Sequence, residues 1–137
     1  MGEVRAQAVL INAVDEGLVR RGMPRPEGIR RYKADALVDT GSVCTVIPLH
    51  IANQLGLETL DRRGVTYADG RQETVEVAKP IMISIAGRRT ADEACILGDE
   101  VLIGQTVLEK LDLHVDCTRQ RLIPNPAHPD QPVIKIK

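Results

Sequence analysis

Residues 36–42 read Ala36-Leu37-Val38-Asp39-Thr40-Gly41-Ser42, and this stretch decides what kind of domain the chain forms. Its apolar first half predicts a buried strand, which delivers one carboxylate into a Thr-Gly turn with hydroxyl groups on both sides. A second apolar run closed by glycine, Val101-Leu102-Ile103-Gly104, comes later and precedes a helical pattern. Asp-Thr-Gly alone is ordinary turn chemistry and therefore a weak signal. The order of the parts around it makes it informative.

Composition is that of one small domain. The chain has 137 residues, with 18 Lys and Arg against 19 Asp and Glu. This balance gives no basic excess for nucleic acid, and the aromatic content of 1% argues against base stacking. Charge begins at Glu3, and no apolar stretch has the length of a signal peptide or a membrane span. We therefore predict a cytoplasmic protein with neither a nucleic acid nor a membrane as partner.

The cysteines and histidines show no ligand spacing and no Cys-x-x-Cys pair. They are Cys44, Cys95 and Cys117, and His50, His114 and His128. The sequence therefore predicts reduced and mostly buried thiols, Cys44 among them as apolar filler beside the Asp-Thr-Gly turn. It predicts no metal site and no cofactor.

Short, regularly interrupted apolar segments predict an all-β fold. Strands are predicted at residues 3–11, 18–21, 30–38, 65–67, 74–77, 81–86, 94–97 and 101–103, short helices at 48–55 and 105–111, and a closing hairpin at 113–123. Residues 12–17 have turn chemistry, and Asp69-Gly70 is a strong hairpin signal. The tail from Pro124 has four prolines, so it cannot enter a central strand before Val133-Ile134, if at all.

With these parts in this order, the chain resembles the retropepsin-like aspartic proteases, the single-motif relatives of pepsin, and looks most like their bacterial members. The resemblance covers roughly residues 30–118, within one domain spanning 1–137. It implies a closed β-barrel with a flap hairpin and one or two short helices. It also implies an aspartic endopeptidase that acts on a peptide or protein substrate.

Peptide hydrolysis of this kind needs two carboxylates that share one water, one to take a proton and one to polarise the carbonyl oxygen. Asp39 is the one aspartate in an Asp-Thr-Gly or Asp-Ser-Gly context. The economical interpretation is a homodimer in which each subunit contributes its Asp39 as catalytic residue.

Residues around Asp39 have supporting roles in this interpretation. The resemblance implies that Thr40 bonds across the dimer axis, while Gly41 permits a close backbone approach. Ser42 would place a hydroxyl near the outer carboxylate oxygen, which should make the pH optimum more acidic. Leu102, Ile103 and Gly104 would pass beneath the Asp39 loop and hold it rigid. That role is architectural.

By position, Tyr67, Ala68, Asp69 and Gly70 correspond to the flap that folds over bound substrate in this family. Tyr67 either reaches the cleft or packs as a strand residue on its neighbour, and the sequence leaves both open. The backbone of residues 68–70 is the better candidate for substrate contact.

The chain departs from the retroviral pattern at two linked positions. Where retroviral enzymes often pair an aspartate with an arginine, this chain has Val43 and Gln105. A dimer must then rely more on apolar packing and on its terminal segments, with the first strand and the C-terminal segment as candidates.

Two other interpretations remain open. One is a non-catalytic dimerisation or peptide-binding module on the same fold. The other is a protomer that is stable alone and becomes active on transient dimerisation.

Overall fold

The computed structural model describes residues 3–23 and 25–136. This part of the chain contains nine strands and three short helices, joined by loops. The strands are β1 (Arg5–Asn12), β2 (Arg31–Asp39), β3 (Thr45–Ile47), β4 (Thr59–Thr66), β5 (Gln72–Ile85), β6 (Arg88–Ile96), β7 (Leu102–Gly104), β8 (Leu113–Asp116) and β9 (Arg121–Pro124). The helices are α1 (Ala13–Arg20), α2 (Leu49–Gln54) and α3 (Gln105–Leu111).

Six strands close into a barrel in the order β1-β2-β7-β3-β6-β5, because β1 also pairs with β5. The pairs β2–β7 and β3–β6 are parallel, and the others are antiparallel. Aliphatic side chains fill the interior: Leu10, Ile47, Ile81, Ile83 and Ile103 each have 0% exposure. Closure leaves no sheet edge within the ring. The predicted all-β fold with a closed barrel is confirmed.

Strand β4 lies outside this ring and forms a hairpin with β5, in which Thr66 pairs with Gln72. The Tyr67 carbonyl accepts the N–H of Gly70 at 2.9 Å, and the Tyr67 N–H donates to the Arg71 carbonyl at 2.8 Å. Gly70 has φ +87°, a left-handed conformation that favours glycine at the end of such a turn. The hairpin predicted from Asp69-Gly70 is therefore present.

Helix α1 overturns the prediction of a turn at residues 12–17 and a strand at 18–21. Asn12 caps it, since its side-chain oxygen accepts the N–H of Asp15 at 3.0 Å. Asp15 and Glu16 then lie in the first turn, where carboxylates are favourable. The described residues thus contain three helices rather than one or two. The longest has eight residues, too few to cross a bilayer.

The buried carboxylate of Asp15 connects α1 to the start of β2. Its two oxygens accept bonds from Nε and Nη2 of Arg30 at 2.8 and 2.9 Å, and the Arg30 N–H adds a third at 3.0 Å. The side-chain bond from Arg30 lowers the pKa of Asp15. A Cβ at Gly56 would overlap the Arg30 guanidinium, so the glycine makes room for this pair. The strand that carries Asp39 is thereby fixed at its far end.

The C-terminal segment is held against the barrel by polar contacts. The predicted closing hairpin is present as β8–β9. Buried Arg88 donates to the carbonyls of Leu111 and Asp112 at 3.0 Å and to that of His128 at 2.6 Å. Residues 125–136 contain no strand, Val133-Ile134 included.

Asp112 receives three further contacts from the tail. Its side chain accepts bonds from the Asn125 amide at 3.0 Å and the Val133 N–H at 3.1 Å, and it lies 2.6 Å from His128 Nδ1. These contacts, the Asn125 bond foremost, lower the pKa of Asp112 from its usual 3.8 to about 2. Ionisation of Asp112 thus stabilises the folded state.

We expect the tail attachment to weaken in acid. Because the folded-state pKa of Asp112 is depressed, its contribution is complete above pH 3.8 and is lost as the pH falls towards 2. Asp112→Asn should lower Tm near neutral pH and reduce the fall in Tm between about pH 4 and 2. Thermal melts over this range test it, with the exposed tail carboxylate variant Asp130→Asn as the control. Equal acid slopes in wild type and Asp112→Asn would contradict the assignment.

Candidate active site

A cleft of about 640 Å³ lies between the loop after β2, the β4–β5 hairpin and the segment that joins β6 to β7. Of the sequence-predicted site residues, six line it: Asp39, Gly41, Ser42, Tyr67, Ala68 and Leu102. The other five are not in its wall: Thr40, Asp69, Gly70, Ile103 and Gly104. The fold therefore brings the Asp39 loop and the hairpin into the wall of one cavity.

Asp39 ends β2 and turns its side chain back onto its own loop. Its Oδ1 accepts the N–H of Gly41 at 2.9 Å, and its carbonyl accepts the N–H of Ser42 at 3.1 Å. A Cβ at Gly41 would lie 3.2 Å from Asp39 Oδ1, which is tighter than an ordinary contact. Glycine thus permits the close approach, and the partly exposed carboxylate is held in one orientation at the cleft wall.

Ser42 does not take the position expected of it. Its hydroxyl donates to the carbonyl of Cys44 at 3.1 Å, and no bond from it to the Asp39 side chain is present in the described residues. Serine hydroxyls in short turns commonly bond to backbone groups two residues away. The expectation that Ser42 makes the pH optimum more acidic therefore has no support in this geometry.

Gly104 passes directly beneath the Asp39 loop. The parallel pairing of β2 with β7 sets Asp39 opposite Gly104. A Cβ at Gly104 would lie 2.6 Å from the carbonyl oxygen of Ser42 and 2.8 Å from that of Cys44. Its φ of −95° is ordinary, so space rather than backbone conformation requires the glycine. Ile103 is buried in the core beside it.

A backbone bond connects the two segments where retroviral enzymes often use an ion pair. The N–H of Gln105 donates to the Ser42 carbonyl at 2.8 Å, while its side chain donates to Glu109. Val43 is 71% exposed. The loop is thus held by main-chain contacts that any residue at position 105 other than proline could make.

Three further residues support the loop and were missed by the sequence interpretation. Buried Thr45, just after the loop, donates to Oδ2 of Asp92 at 2.7 Å, and Lys110 Nζ lies 3.1 Å from Oδ1 of the same carboxylate. They connect β3 to β6 and α3. A polar threonine at the start of the apolar run Thr45-Val46-Ile47 indicates a buried hydrogen bond. The sequence could not identify the other two residues, Asp92 and Lys110, because they are remote from Thr45 along the chain.

Tyr67 lies in the cleft wall and its side chain also contacts hairpin neighbours, so the two placements that the sequence left open are compatible. Its hydroxyl donates to Glu73 at 2.9 Å, a bond that raises the pKa of Tyr67, and the Arg71 guanidinium lies 4.6 Å from the ring centre. Arg71 Nε also donates to Asp69 at 2.8 Å, and the backbone N–H of Arg71 lowers the pKa of Asp69. The hairpin tip is therefore stiffened by its own side chains.

The thiols differ from the prediction of mostly buried cysteines. Cys95 is buried, whereas Cys44 and Cys117 are exposed, and all three are free. Cys44 is not filler, because it faces the cleft together with Cys95. Burial, with Cys44 as neighbour, raises the pKa of Cys95 to about 11. Within the described ranges, no three His, Cys, Asp or Glu side chains are grouped to ligate a metal ion.

Comparison with known proteins places the chain in a family. The family described as "gag-polyprotein putative aspartyl protease" matches residues 28–110, which is more than half of the chain. The chain belongs to this family, and the predicted relationship to retropepsin-like proteases is confirmed. No curated protein matches it in sequence.

Two solved structures are similar to this chain. The retroviral protease-like domain of Ddi1 from Leishmania major is 16% identical, with a TM-score of 0.56 over 92% of this chain and 90% of that one. The Simian Foamy Virus (mac) protease is 14% identical, with a TM-score of 0.48 over 76% of this chain and 90% of that one. At such identity, the first of these likenesses shows the architecture alone.

Gly104→Ala should destabilise the protein by about 1–3 kcal/mol, the usual cost of overpacking. The added methyl group must displace the carbonyls of Ser42 and Cys44. Gly17→Ala in α1 is the matched control, because nothing lies within 4 Å of its Cβ position. That variant should be neutral or more stable by up to about 1 kcal/mol. Urea denaturation of both variants tests this, and equal stabilities would contradict the close passage.

Proposed function

We propose that the chain is a homodimeric aspartic endopeptidase that hydrolyses peptide bonds. The observation that carries this proposal is the position of Asp39. It lies in a tight loop with the Asp-Thr-Gly sequence, in the wall of a cleft that the β4–β5 hairpin also lines. Membership of an aspartyl protease family supports the same chemistry.

In this proposal, two Asp39 carboxylates from two protomers hold one water between them. Two like charges at such short distance share a single proton. The ionised carboxylate takes a proton from the water as the water attacks the scissile carbonyl. The protonated carboxyl group donates to the carbonyl oxygen. The hydrogen bond from Gly41 keeps the carboxylate oriented before substrate arrives.

A second copy of the chain would contact a set of exposed, mostly apolar residues. Thr40 and Val43 are exposed in the Asp39 loop, and Leu49, at the start of α2, is 59% exposed. Ile134 and Ile136 in the tail are 60% and 80% exposed. Burial of such apolar side chains is the usual driving force of association. Thr40 would then contact its own counterpart across the axis, as the family resemblance implies.

The cleft fits an extended peptide with apolar side chains near the scissile bond. Its wall includes Val46, Val65, Leu97 and Leu102, and the β4–β5 hairpin, whose Tyr67 and Ala68 also line the cleft, would serve as the flap. Asp69 and Gly70 at the tip would contact substrate through the backbone. Three free thiols fit a reducing compartment such as the cytoplasm.

Cleavage of an unbiased peptide library, followed by mass spectrometry between about pH 3 and 7, tests the chemistry. Wild type should cleave, and Asp39→Asn should reduce the rate by about 100-fold or more, since a general acid–base group contributes at least that much. Asp35→Asn, the same change at an exposed position of the same strand, should retain cleavage. No cleavage by a folded wild-type dimer would favour the non-catalytic peptide-binding module instead.

Subunit mixing tests whether the site is shared. After exchange with an equal amount of Asp39→Asn, about half of the wild-type chains are in mixed dimers with one carboxylate, so activity per wild-type chain should fall by about half. Native mass spectrometry of a tagged variant verifies the exchange. Activity that is unchanged by an exchanged partner would contradict a shared site. Loss of wild-type activity on dilution would indicate that the dimer is transient.

A further inference from the structure

The charged side chains in the described cleft wall are all acidic. Among the described residues that line it, Asp39, Asp99 and Glu100 carry carboxylates, and no Lys, Arg or His is present. The chain as a whole is nearly neutral, with 18 basic and 19 acidic side chains. The basic residues therefore lie outside this wall, so every charged side chain within it is acidic. Acidic side chains in a cleft with low-dielectric walls attract cations.

The two carboxylates beyond Asp39 differ in their contacts. Glu100 is bound by Arg5, whose Nη2 lies 2.6 Å from its Oε1. Asp99 has no hydrogen bond or ion pair with any of the residues 3–23 and 25–136. Within the described cleft wall, Asp99 is thus the carboxylate outside the catalytic loop whose charge remains uncompensated. A cationic side chain from a ligand could pair with it without displacing an internal partner.

Asp99 follows Gly98, which has φ +73°, and it lies in the turn that leads into β7. Leu97 precedes this turn and Leu102 follows it, and both line the cleft. A ligand side chain that pairs with Asp99 therefore has apolar residues of the cleft wall available for its stem. Lys and Arg have this form, with an aliphatic stem and a charged end.

The strand register places this carboxylate at a limited distance from the reaction centre. Asp39 lies opposite Gly104 across the β2–β7 pair, and Asp99 is five residues before Gly104. Five residues span at most about 17 Å, and an extended peptide advances by about 3.3 Å per residue. A side chain that meets Asp99 thus belongs to a residue within about five positions of the scissile bond.

We infer that Asp99 is a specificity-determining residue, which selects peptides that carry Lys or Arg within about five positions of the scissile bond. The inference rests on the proposed function for the location of the scissile bond. In a two-fold dimer the two copies of Asp99 lie on opposite sides of the catalytic pair. The preference for a basic residue then occurs on both sides of the cleaved bond.

A binding selection separates this inference from catalysis. The bait is the Asp39→Asn protein, and the probe is a synthetic library of peptides with two central valines and five randomised positions on each side. Lys and Arg should be enriched over Glu by about fivefold at defined positions, as expected for a partly exposed ion pair. Asp39→Asn/Asp99→Asn should lose this enrichment, and Asp39→Asn/Asp99→Lys should enrich Glu at the same positions.

The control is Asp39→Asn/Glu27→Gln, which removes an exposed negative charge from the loop before β2 and should keep the enrichment. Enrichment that is absent, that persists without Asp99, or that is uniform over all positions would overturn the inference. The wild-type cleavage assay is read separately. Position-specific binding that depends on Asp99, without cleavage, would reject the endopeptidase and keep Asp99 as the residue that selects basic peptides. Cleavage without this binding pattern would support the endopeptidase and reject that role of Asp99.

Discussion

The passage of the β7 backbone beneath the Asp39 loop is the constraint on which the rest of the site depends. Gly104 leaves no room for a side chain against the carbonyls of Ser42 and Cys44, and the Gln105 N–H completes the contact with a bond to Ser42. Main-chain packing at this distance fixes the loop in space more firmly than flexible side chains could. Because β7 belongs to the closed barrel, the orientation of Asp39 follows from the barrel itself.

Buried polar contacts on either side of the loop also fix the position of the Asp39 strand. Behind the loop, Thr45, Asp92 and Lys110 connect three elements through one carboxylate, which is largely buried and fully engaged. At the far end of β2, the pair of Asp15 with Arg30 fixes the strand to α1. Buried polar groups of this kind contribute modestly to net stability when satisfied, but they are costly to break. Their effect here is to determine where the two ends of the Asp39 strand lie.

Local sequence patterns predicted most of the fold. The Asp-Thr-Gly turn, the apolar run ending at Gly104, helix α3 and the Asp69-Gly70 hairpin were all predictable, because each is specified by residues a few positions apart. Helix α1 was not, since apolar residues in so short a segment fit a strand as well as a helix, and its cap depends on the orientation of Asn12. The hydroxyl of Ser42 and the partners of Thr45 depend on distances between segments remote in sequence. Exposure of Cys44 likewise follows from the cleft, which exists only after the barrel closes.

The same geometry bears on how a dimer would be built. In this chain Val43 and Gln105 stand where an ion pair often supports the loop in retroviral enzymes, yet the loop is already held by contacts within one protomer. The barrel also has a closed core of its own, with side chains such as Leu10 and Ile103 fully buried. Association would therefore have little folding to complete, and its free energy would come from exposed apolar residues such as Val43 and Leu49. A site divided between two preorganised halves would make activity depend on protomer concentration more than on refolding of the loop.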